Sequence, residues 1–96
     1  MHNGDEAPPV DAVAKAKGGG AVEVKCKAEK GVICYLVQMG TDPAHPEAWS
    51  QPFISGGCKH TFEGLTAGQK VYVRIAVVRY AGGQGAWSEM LPVTVL

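Results

Sequence analysis

Apolar and polar residues alternate with a period of two along most of the chain, which is the pattern of half-buried β-strands. In the clearest run, residues 71–78, the odd-numbered side chains are Val71, Val73, Ile75 and Val77. We expect these four to point into the core. The same alternation predicts seven strands, at residues 10–17, 21–28, 32–39, 48–54, 58–63, 71–78 and 86–96.

The parity of the other strands predicts which side chains they bury. In the second strand the inward set is Val22, Val24, Cys26 and Ala28. In the third strand, which we expect to be central, one face carries Ile33, Tyr35, Val37 and Met39. The first strand is predicted to lie at a sheet edge and is rich in alanine, a poor strand former. The fourth strand is also predicted to lie at an edge, because Pro52 has no N–H to donate to a strand ladder.

Turn-forming residues separate these strands at regular intervals. The chain has 13 glycines and 6 prolines among 96 residues, and nowhere do apolar residues recur at 3.6-residue spacing over a helical length. Short strands with a turn every 8–12 residues are typical of sandwiches. The pattern therefore predicts an all-β, seven-stranded antiparallel sandwich with Greek-key topology.

Residues 64–77, Gly-Leu-Thr-Ala-Gly-Gln-Lys-Val-Tyr-Val-Arg-Ile-Ala-Val, resemble a corner and strand of fibronectin type III domains. Residues 81–89 resemble the loop and strand that follow in that family, and Tyr35 with Val37 and Met39 matches its third strand. The resemblance implies an immunoglobulin-like fibronectin type III sandwich over residues 8–96, of the kind found in short bacterial proteins. With Pro8-Pro9 as the end of a linker, it also implies that the chain is a fragment of a larger bacterial protein. Residues 1–7 are polar and without a period, so we expect a disordered lead-in or linker remnant.

Three positions depart from the family pattern. Ala67 replaces the corner proline, Val71 stands where the corner tyrosine is expected, and Cys26 stands where the family has a core tryptophan. We therefore expect other aromatic side chains to complete the core, those of Tyr35, Trp49 and Phe62.

Composition and charge narrow the possible partners. Nine basic and nine acidic residues give zero net charge without a basic cluster, so we expect no nucleic-acid binding. No apolar run approaches the ~20 residues of a spanning helix, so we expect no membrane insertion. Pro52 and Pro92 on edge strands favour a monomer.

The sequence does not determine the cellular compartment. It has no signal peptide, and an odd cysteine count favours the cytoplasm, but a fragment could come from an extracellular protein.

The three cysteines allow more than one chemistry. By parity Cys26 and Cys58 face the core from strands expected to be neighbours, whereas Cys34 faces outward. Their spacing does not match paired zinc ligands. Three free thiols that pack as small apolar groups are favoured, and a Cys26–Cys58 bridge and a metal site are the alternatives.

No other constellation indicates catalysis, a cofactor or a metal. A catalytic triad could be drawn only from loop residues, namely Asp42, His45 and Ser50 or Ser55, without the Gly-x-Ser-x-Gly turn that strains a nucleophile. The histidines are spread over a tail, a loop and a strand, at His2, His45 and His60. The glycine-rich residues 82–85 precede no helix, so they cannot complete a phosphate site. We expect no enzyme activity and no cofactor.

We predict instead a non-catalytic spacer or protein-interaction module, whose partner is another protein or a neighbouring domain of the same chain. Loops on a rigid scaffold carry function, and the turns at one end of the sandwich contain Lys30, Gly56, Gly83 and Gln84. Arg74 and Trp87, on adjacent strands, are expected to stack as a structural pair. The alternative is a carbohydrate-binding accessory module in which exposed Trp49 or Trp87 stacks on sugar.

Overall fold

Eight antiparallel strands and their connections make up residues 7–45 and 49–96, the part of the chain that the computed structural model describes. The strands are β1 (Val13–Gly18), β2 (Ala21–Lys25), β3 (Val32–Gly40), β4 (Phe53–Ser55), β5 (Lys59–Phe62), β6 (Lys70–Arg79), β7 (Gly83–Gln84) and β8 (Leu91–Thr94). These two ranges contain no helix. The all-β prediction is confirmed.

The strands form two facing sheets. One sheet has the order β1-β2-β5, and the other has the order β4-β3-β6, with β7 and β8 both paired to the remaining edge of β6. The chain passes from one sheet to the other between β2 and β3, between β4 and β5, and between β5 and β6. This arrangement confirms the predicted sandwich, and β3 is central in its sheet as expected.

Strand β6 supplies the centre of the core. Its inward side chains are those predicted, and all are essentially inaccessible to solvent: Val71, Val73, Ile75 and Val77. The facing sheet contributes Val22, Val24, Cys26 and Phe62, while Tyr35, Val37, Val93 and Val95 complete the cluster. The alternation of β6 therefore predicted its inner face correctly, because the strand is long, regular and paired on both edges.

The departures from the family pattern have visible consequences. Val71 occupies a core position, whereas Tyr72 lies on the outer face, where the Lys70 ammonium is 5.8 Å from the centre of its ring. Cys26 is buried at the position of the family's core tryptophan. Of the three aromatic residues expected to replace that tryptophan, Tyr35 and Phe62 belong to the core cluster.

The last predicted strand, residues 86–96, is shortened to β8 (Leu91–Thr94), and β7 (Gly83–Gln84) lies in the glycine-rich residues before it, so the sandwich has eight strands instead of seven. Ser88 causes the interruption. Its hydroxyl accepts a hydrogen bond from the Ile75 N–H (3.0 Å), and its own N–H donates to the Ile75 carbonyl (2.8 Å). The Ser88 hydroxyl thus accepts the hydrogen bond that, in a continuous ladder, the Ile75 N–H would donate to a backbone carbonyl.

Ile33 contradicts the parity prediction, because it is 50% exposed although Tyr35 and Val37 are buried. The cause is a β-bulge. Val32 pairs with Arg79 and Cys34 pairs with Val78, which leaves Ile33 as an extra residue in β3. A bulge shifts the alternation by one position, so Val32 packs against the core and Ile33 faces outward.

The predicted edge strand at residues 48–54 is present at the edge of its sheet, but it is shorter than predicted. The strand β4 begins only at Phe53, after Pro52, and residue 48 lies outside the described ranges. Trp49 is buried, at 9% exposure, but it is absent from the core cluster. A Cβ placed on Gly40 would lie inside the Trp49 ring, so the indole packs flat over Gly40, on the outer face of β3. It does not replace the family's core tryptophan.

Two other strand limits differ from the prediction. The first strand begins at Val13 instead of residue 10, because Asp11 has a positive φ of 57°, which interrupts an extended run. Ala28, predicted to face inward, is exposed, since β2 ends at Lys25 and the alternation ends with it. Residues 1–6 of the predicted lead-in lie outside the described ranges, whereas the carbonyl of Ala7 accepts a hydrogen bond from the folded domain.

Candidate functional site

Three connections meet at one end of the sandwich, and we call residues 27–31, 55–58 and 80–84 together the loop end. Two hydrogen bonds hold them: the Tyr80 N–H donates to the Gly31 carbonyl, and the Cys26 N–H donates to the Cys58 carbonyl, both at 3.0 Å. The structure therefore brings together the residues predicted as interaction loops. They are Lys30, Gly56 and Gln84, which are exposed, and Gly83, which is half-buried.

Two exposed apolar side chains, one in the loop end and one beside it, were missed by sequence reasoning. Tyr80 is 76% exposed, directly after β6, and the bulge turns Ile33 outward on the neighbouring strand. The signal for Tyr80 was present in the sequence, because an aromatic residue stands two positions before the glycine-rich residues 82–85. No sequence signal distinguishes Ile33 from the buried residues of the same parity, since the bulge depends on pairing with β6.

A buried ion pair fixes the loop end to the sheet. Arg79 continues the inward parity of β6, and its Nε and Nη2 atoms donate to the two carboxylate oxygens of Glu29 at 2.8 and 3.1 Å. Its Nη1 donates to the Ala7 carbonyl at 3.1 Å. Such a two-pronged arginine–carboxylate contact constrains geometry as well as adding energy. The connection after β2 is thereby held in one position.

We expect Arg79→Met to lower the free energy of unfolding by about 1–3 kcal/mol, because methionine keeps the apolar stem but leaves the Glu29 carboxylate without its partner. Amide exchange at Gly31 and Tyr80 should also become faster. Urea unfolding and hydrogen exchange measure the two effects.

The matched control for this change is Lys59→Met. Lys59 also pairs with a glutamate, Glu23, but its side chain is mostly solvent-exposed and the N–O distance is 3.7 Å. Exposed pairs contribute little, so we expect a change below about 0.5 kcal/mol. Equal losses in the two variants would contradict the stabilising role given to the Arg79–Glu29 pair.

A pair of thiols lies where the loop end meets the core. Cys26 is buried and Cys58 is half-buried, as parity predicted, and Cys34 is half-buried on the outer face of β3. Burial, with smaller contributions from Cys58 and Glu29, raises the pKa of the Cys26 thiol from 9.0 to about 11. Burial also raises the pKa of the Tyr35 hydroxyl. The buried thiol is therefore neutral at physiological pH.

This raised pKa predicts a loss of stability in alkali. Well below pH 9 the Cys26 thiol is protonated in both states, whereas between about pH 8 and 11 the unfolded chain is the more ionised. Because the folded state then binds more protons, the free energy of unfolding should fall by about 2 kcal/mol between pH 8 and 10.5. Urea unfolding at both pH values measures this.

Cys26→Ala is the control for the alkaline prediction. It should lose less stability than the wild type over the same interval, with a remaining loss from Tyr35, whose pKa is also raised. The same pH dependence in both proteins would contradict a titrating Cys26.

On the outer face of the larger sheet, two indoles flank one guanidinium, and we call this group the outer-face cluster. The Arg74 Cζ atom lies 4.3 Å from the Trp87 ring centre and 5.4 Å from that of Trp49. The Arg74 Nε donates to Gln38 Oε1, and Gln38 Nε2 donates to the Ser50 carbonyl, both at 2.8 Å. Burial lowers the pKa of the Arg74 guanidinium. The contacts join β3, β6 and the segment before β8.

This cluster occupies both indoles named for the carbohydrate alternative, which needed Trp49 or Trp87 to be exposed. Trp49 is buried, and its Nε1–H donates to the Asp42 carbonyl at 2.8 Å. Trp87 is only half-buried, but the Arg74 guanidinium lies over its ring. Trp49 therefore has no free face for sugar stacking, and no contact in the described residues favours this function over a protein interface.

The residues from which a triad was drawn do not form one. His45 Nδ1 lies 3.0 Å from Asp42 Oδ2 in an exposed turn. The Ser50 hydroxyl donates to the Met39 carbonyl, and the Ser55 hydroxyl donates to backbone carbonyls of its own turn. Both hydroxyls therefore bind backbone instead of an imidazole. An open cleft beside Asp42 and Ser50 has a volume of about 230 Å³, which is smaller than most small-molecule sites.

The remaining histidines and the cysteines do not form a recognisable metal site in the described residues. His60 is packed among aromatic rings, with ring centres 5.6 Å from Phe53 and 4.7 Å from Phe62. His2 lies outside the described ranges. Within residues 7–45 and 49–96, no three His, Cys, Asp or Glu side chains are grouped so that they could hold a metal ion. The same residues include no helix long and apolar enough to cross a membrane.

Comparison with solved structures identifies the fold as that of fibronectin type III domains. A Fn3-like protein from Clostridium thermocellum has a TM-score of 0.77 at 18% identity, over 96% of this chain and 95% of that one. The sixth fibronectin type III domain of human fibronectin type III domain containing protein 3 has a TM-score of 0.75 at 15% identity, over 99% and 91%. At these identities the likeness shows the fold alone.

One similar structure is part of an enzyme. A β-1,2-glucanase from Parabacteroides distasonis has a TM-score of 0.68 at 18% identity, over 92% of this chain but only 12% of that protein. This chain thus spans a small part of the glucanase. No family model matches the sequence, and no curated protein is significantly similar to it. The similar chains described as separate fibronectin type III domains are, like most of these neighbours, non-catalytic modules.

Proposed function

We propose that this chain is a non-catalytic protein-interaction module that contacts its partner through the loop end. The fibronectin type III fold is commonly a structural or interaction module, and function on such a scaffold resides in its loops. The observation that carries the proposal is Tyr80, a 76%-exposed aromatic side chain whose backbone N–H is bonded to Gly31. Tyrosine offers large contact area at low entropic cost, so it is enriched at binding hot spots.

The loop end is ordered before a partner arrives. The Arg79–Glu29 pair and the two backbone hydrogen bonds connect β2, β3, β5 and β6 at this end. Pre-ordering lowers the entropy lost on binding. The outward-facing Ile33 adds a second apolar contact on the strand next to Tyr80.

Charge indicates the chemistry of the partner. Three lysines are exposed at or beside the loop end, namely Lys25, Lys27 and Lys30. The acidic Glu29 forms an ion pair with Arg79. A partner surface that carries carboxylates around an apolar pocket would complement this arrangement, and its association rate should fall as salt rises.

A binding experiment with Tyr80→Ala tests the proposal. A photo-crosslinking amino acid at position 30 or 84 should capture a discrete protein in the source cells, and the purified pair should bind in calorimetry. Tyr80→Ala should weaken that binding by about 30-fold or more. Leu96→Ala, which removes an exposed apolar side chain at the opposite end, should leave it unchanged.

The spacer alternative has its own support. The Ala7 carbonyl accepts a hydrogen bond from Arg79 at the loop end. The Leu96 carbonyl accepts a hydrogen bond from the Gly20 N–H at the opposite end. The described chain therefore enters and leaves at opposite ends, as a link between neighbouring domains requires. Equal binding by Tyr80→Ala and wild type, or no captured protein, would favour the spacer over the interaction module.

A further inference from the structure

Cys26 and Cys58 occupy directly opposite positions on neighbouring strands. In the β2–β5 ladder Val24 pairs with His60 and Lys25 pairs with Lys59, so the next pair in register is Cys26 with Cys58. The 3.0 Å hydrogen bond from the Cys26 N–H to the Cys58 carbonyl shows that the pairing extends to this position. Both side chains belong to, or pack against, the same core cluster.

Opposite residues of an antiparallel pair have Cα atoms about 5.5 Å apart when they are hydrogen-bonded, within the range that disulfides occupy. Their Cβ atoms lie about 4.5–5.5 Å apart, and a disulfide needs about 3.5–4.5 Å. An approach of less than about 1 Å is thus sufficient. The two residues lie one position beyond the ends of β2 and β5, where the backbone has more freedom to move than in the middle of a ladder.

We propose that this pair is an oxidative modification site, in which peroxide converts the two thiols of the folded domain into a Cys26–Cys58 disulfide. The bridge joins the connection that carries Lys30 to the turn that carries Gly56. Oxidation therefore fixes the two sides of the loop end covalently, in addition to the hydrogen bond already present. This property is independent of whether the loop end binds a protein.

With peroxide the reaction proceeds in two balanced steps. Cys58, the more accessible thiol, attacks one peroxide oxygen as thiolate; the O–O bond breaks, one water leaves after protonation, and a sulfenic acid remains. The sulfur of Cys26 then attacks the Cys58 sulfur, the S–O bond breaks and a second water leaves. Two thiols are oxidised by two electrons and one peroxide is reduced to two waters.

The burial of Cys26 explains the order of the two steps. Because burial raises the pKa of its thiol to about 11, Cys26 is a poor nucleophile toward external oxidants at neutral pH. It reacts once a sulfenic acid is directly opposite. The second step should therefore become faster as the pH rises toward 10, because the thiolate fraction of Cys26 increases.

The Cys34→Ser variant provides the direct test, since it retains only the opposed pair. After one equivalent of hydrogen peroxide, its intact mass should fall by about 2 Da and both titratable thiols should disappear. Trypsin should release residues 26–27 joined to residues 31–59, a link that reductant reverses. The double variant Cys34→Ser, Cys58→Ser should show neither the mass loss nor the linked peptide.

The closed loop of roughly 30 residues removes unfolded-chain entropy. Oxidised Cys34→Ser should consequently melt at least about 10 °C above the reduced form, and the double variant should show no such rise. Any one of four results would overturn the proposal. These are two thiols that survive the oxidant, a mass gain of about 32 Da from sulfinic acid, disulfide-linked dimers, and an oxidised form that melts no higher than the reduced form.

Discussion

The Ile75→Asp variant is expected not to fold. Ile75 is fully buried at the centre of β6, with neighbouring core side chains on both sheets. The substitution removes a large apolar group and places a carboxylate where the described residues offer no cation. Burying an unpaired charge costs several kcal/mol beyond the lost packing, which approaches the ~5–15 kcal/mol stability of a typical domain. Circular dichroism and amide NMR dispersion should show an unfolded chain at 25 °C.

Ile54→Asp is the matched control, because the same chemical change is made at an isoleucine that is 75% exposed on β4. We expect a cooperative melt with a loss below about 1 kcal/mol. If Ile75→Asp also melted cooperatively near the wild-type temperature, the inward register assigned to β6 would be wrong. The Val73→Asp variant should behave like Ile75→Asp, since Val73 is equally buried.

Gly20→Ala is expected to cause the second-largest loss, about 3–5 kcal/mol. Gly20 has a φ of +82°, and a Cβ there would lie 2.5 Å from the Leu65 carbonyl oxygen, which is backbone and cannot rotate away. The left-handed conformation and the overlap each add a penalty. Moving the chain to relieve them would disturb the hydrogen bond from the Leu65 N–H to the Gly20 carbonyl (3.0 Å). Thermal and urea unfolding measure the loss.

Gly19→Ala separates the two penalties. Its φ of +65° is also in the left-handed region, but a Cβ at Gly19 meets nothing within 4 Å. We expect a loss of about 1–2 kcal/mol from backbone conformation alone. If Gly19→Ala lost as much stability as Gly20→Ala, the close approach of Gly20 to Leu65 would contribute nothing to the loss.

The loop end shows how a sandwich can hold several of its connections rigid. The core ends where β6 places Arg79 in an inward position, and the arginine binds a carboxylate from one connection and a carbonyl from the N-terminal segment. The bulge at Ile33 converts an inward position into an outward one on the adjacent strand. Packing and surface chemistry at this end are therefore set by the same few residues.

Strand positions and faces were predictable to the extent that they depend on local alternation. The inward faces of β2, β5 and β6 follow directly from period two, because a wrong parity would expose an entire apolar face to water. Prediction failed where alternation is interrupted: at the Ile33 bulge, at Ser88 between β7 and β8, and before β4. At each of these places a contact with another strand or with proline sets the backbone.

The candidate site was predictable only in part. Parity indicated that Cys26 and Cys58 face inward and that Arg74 lies beside Trp87, and turn residues located Lys30 and the glycine loop. The pairing of Arg79 with Glu29 joins residues 50 positions apart. The placement of Trp49 over Gly40 depends on a loop folding back onto the outer face of β3. Neither contact leaves a periodic signal in the sequence.

The amino-acid sequence alone determined that the chain forms antiparallel strands, which faces of the long strands are buried, and that the result resembles a fibronectin type III sandwich. These features follow from burial of apolar surface, which acts on each strand locally. Only the tertiary structure decided that Tyr80 and Ile33 are exposed together, that Arg79 ties the loop end, and that Cys26 lies opposite Cys58. These features depend on register between strands distant in sequence, and register is fixed only when the two sheets close over a shared core.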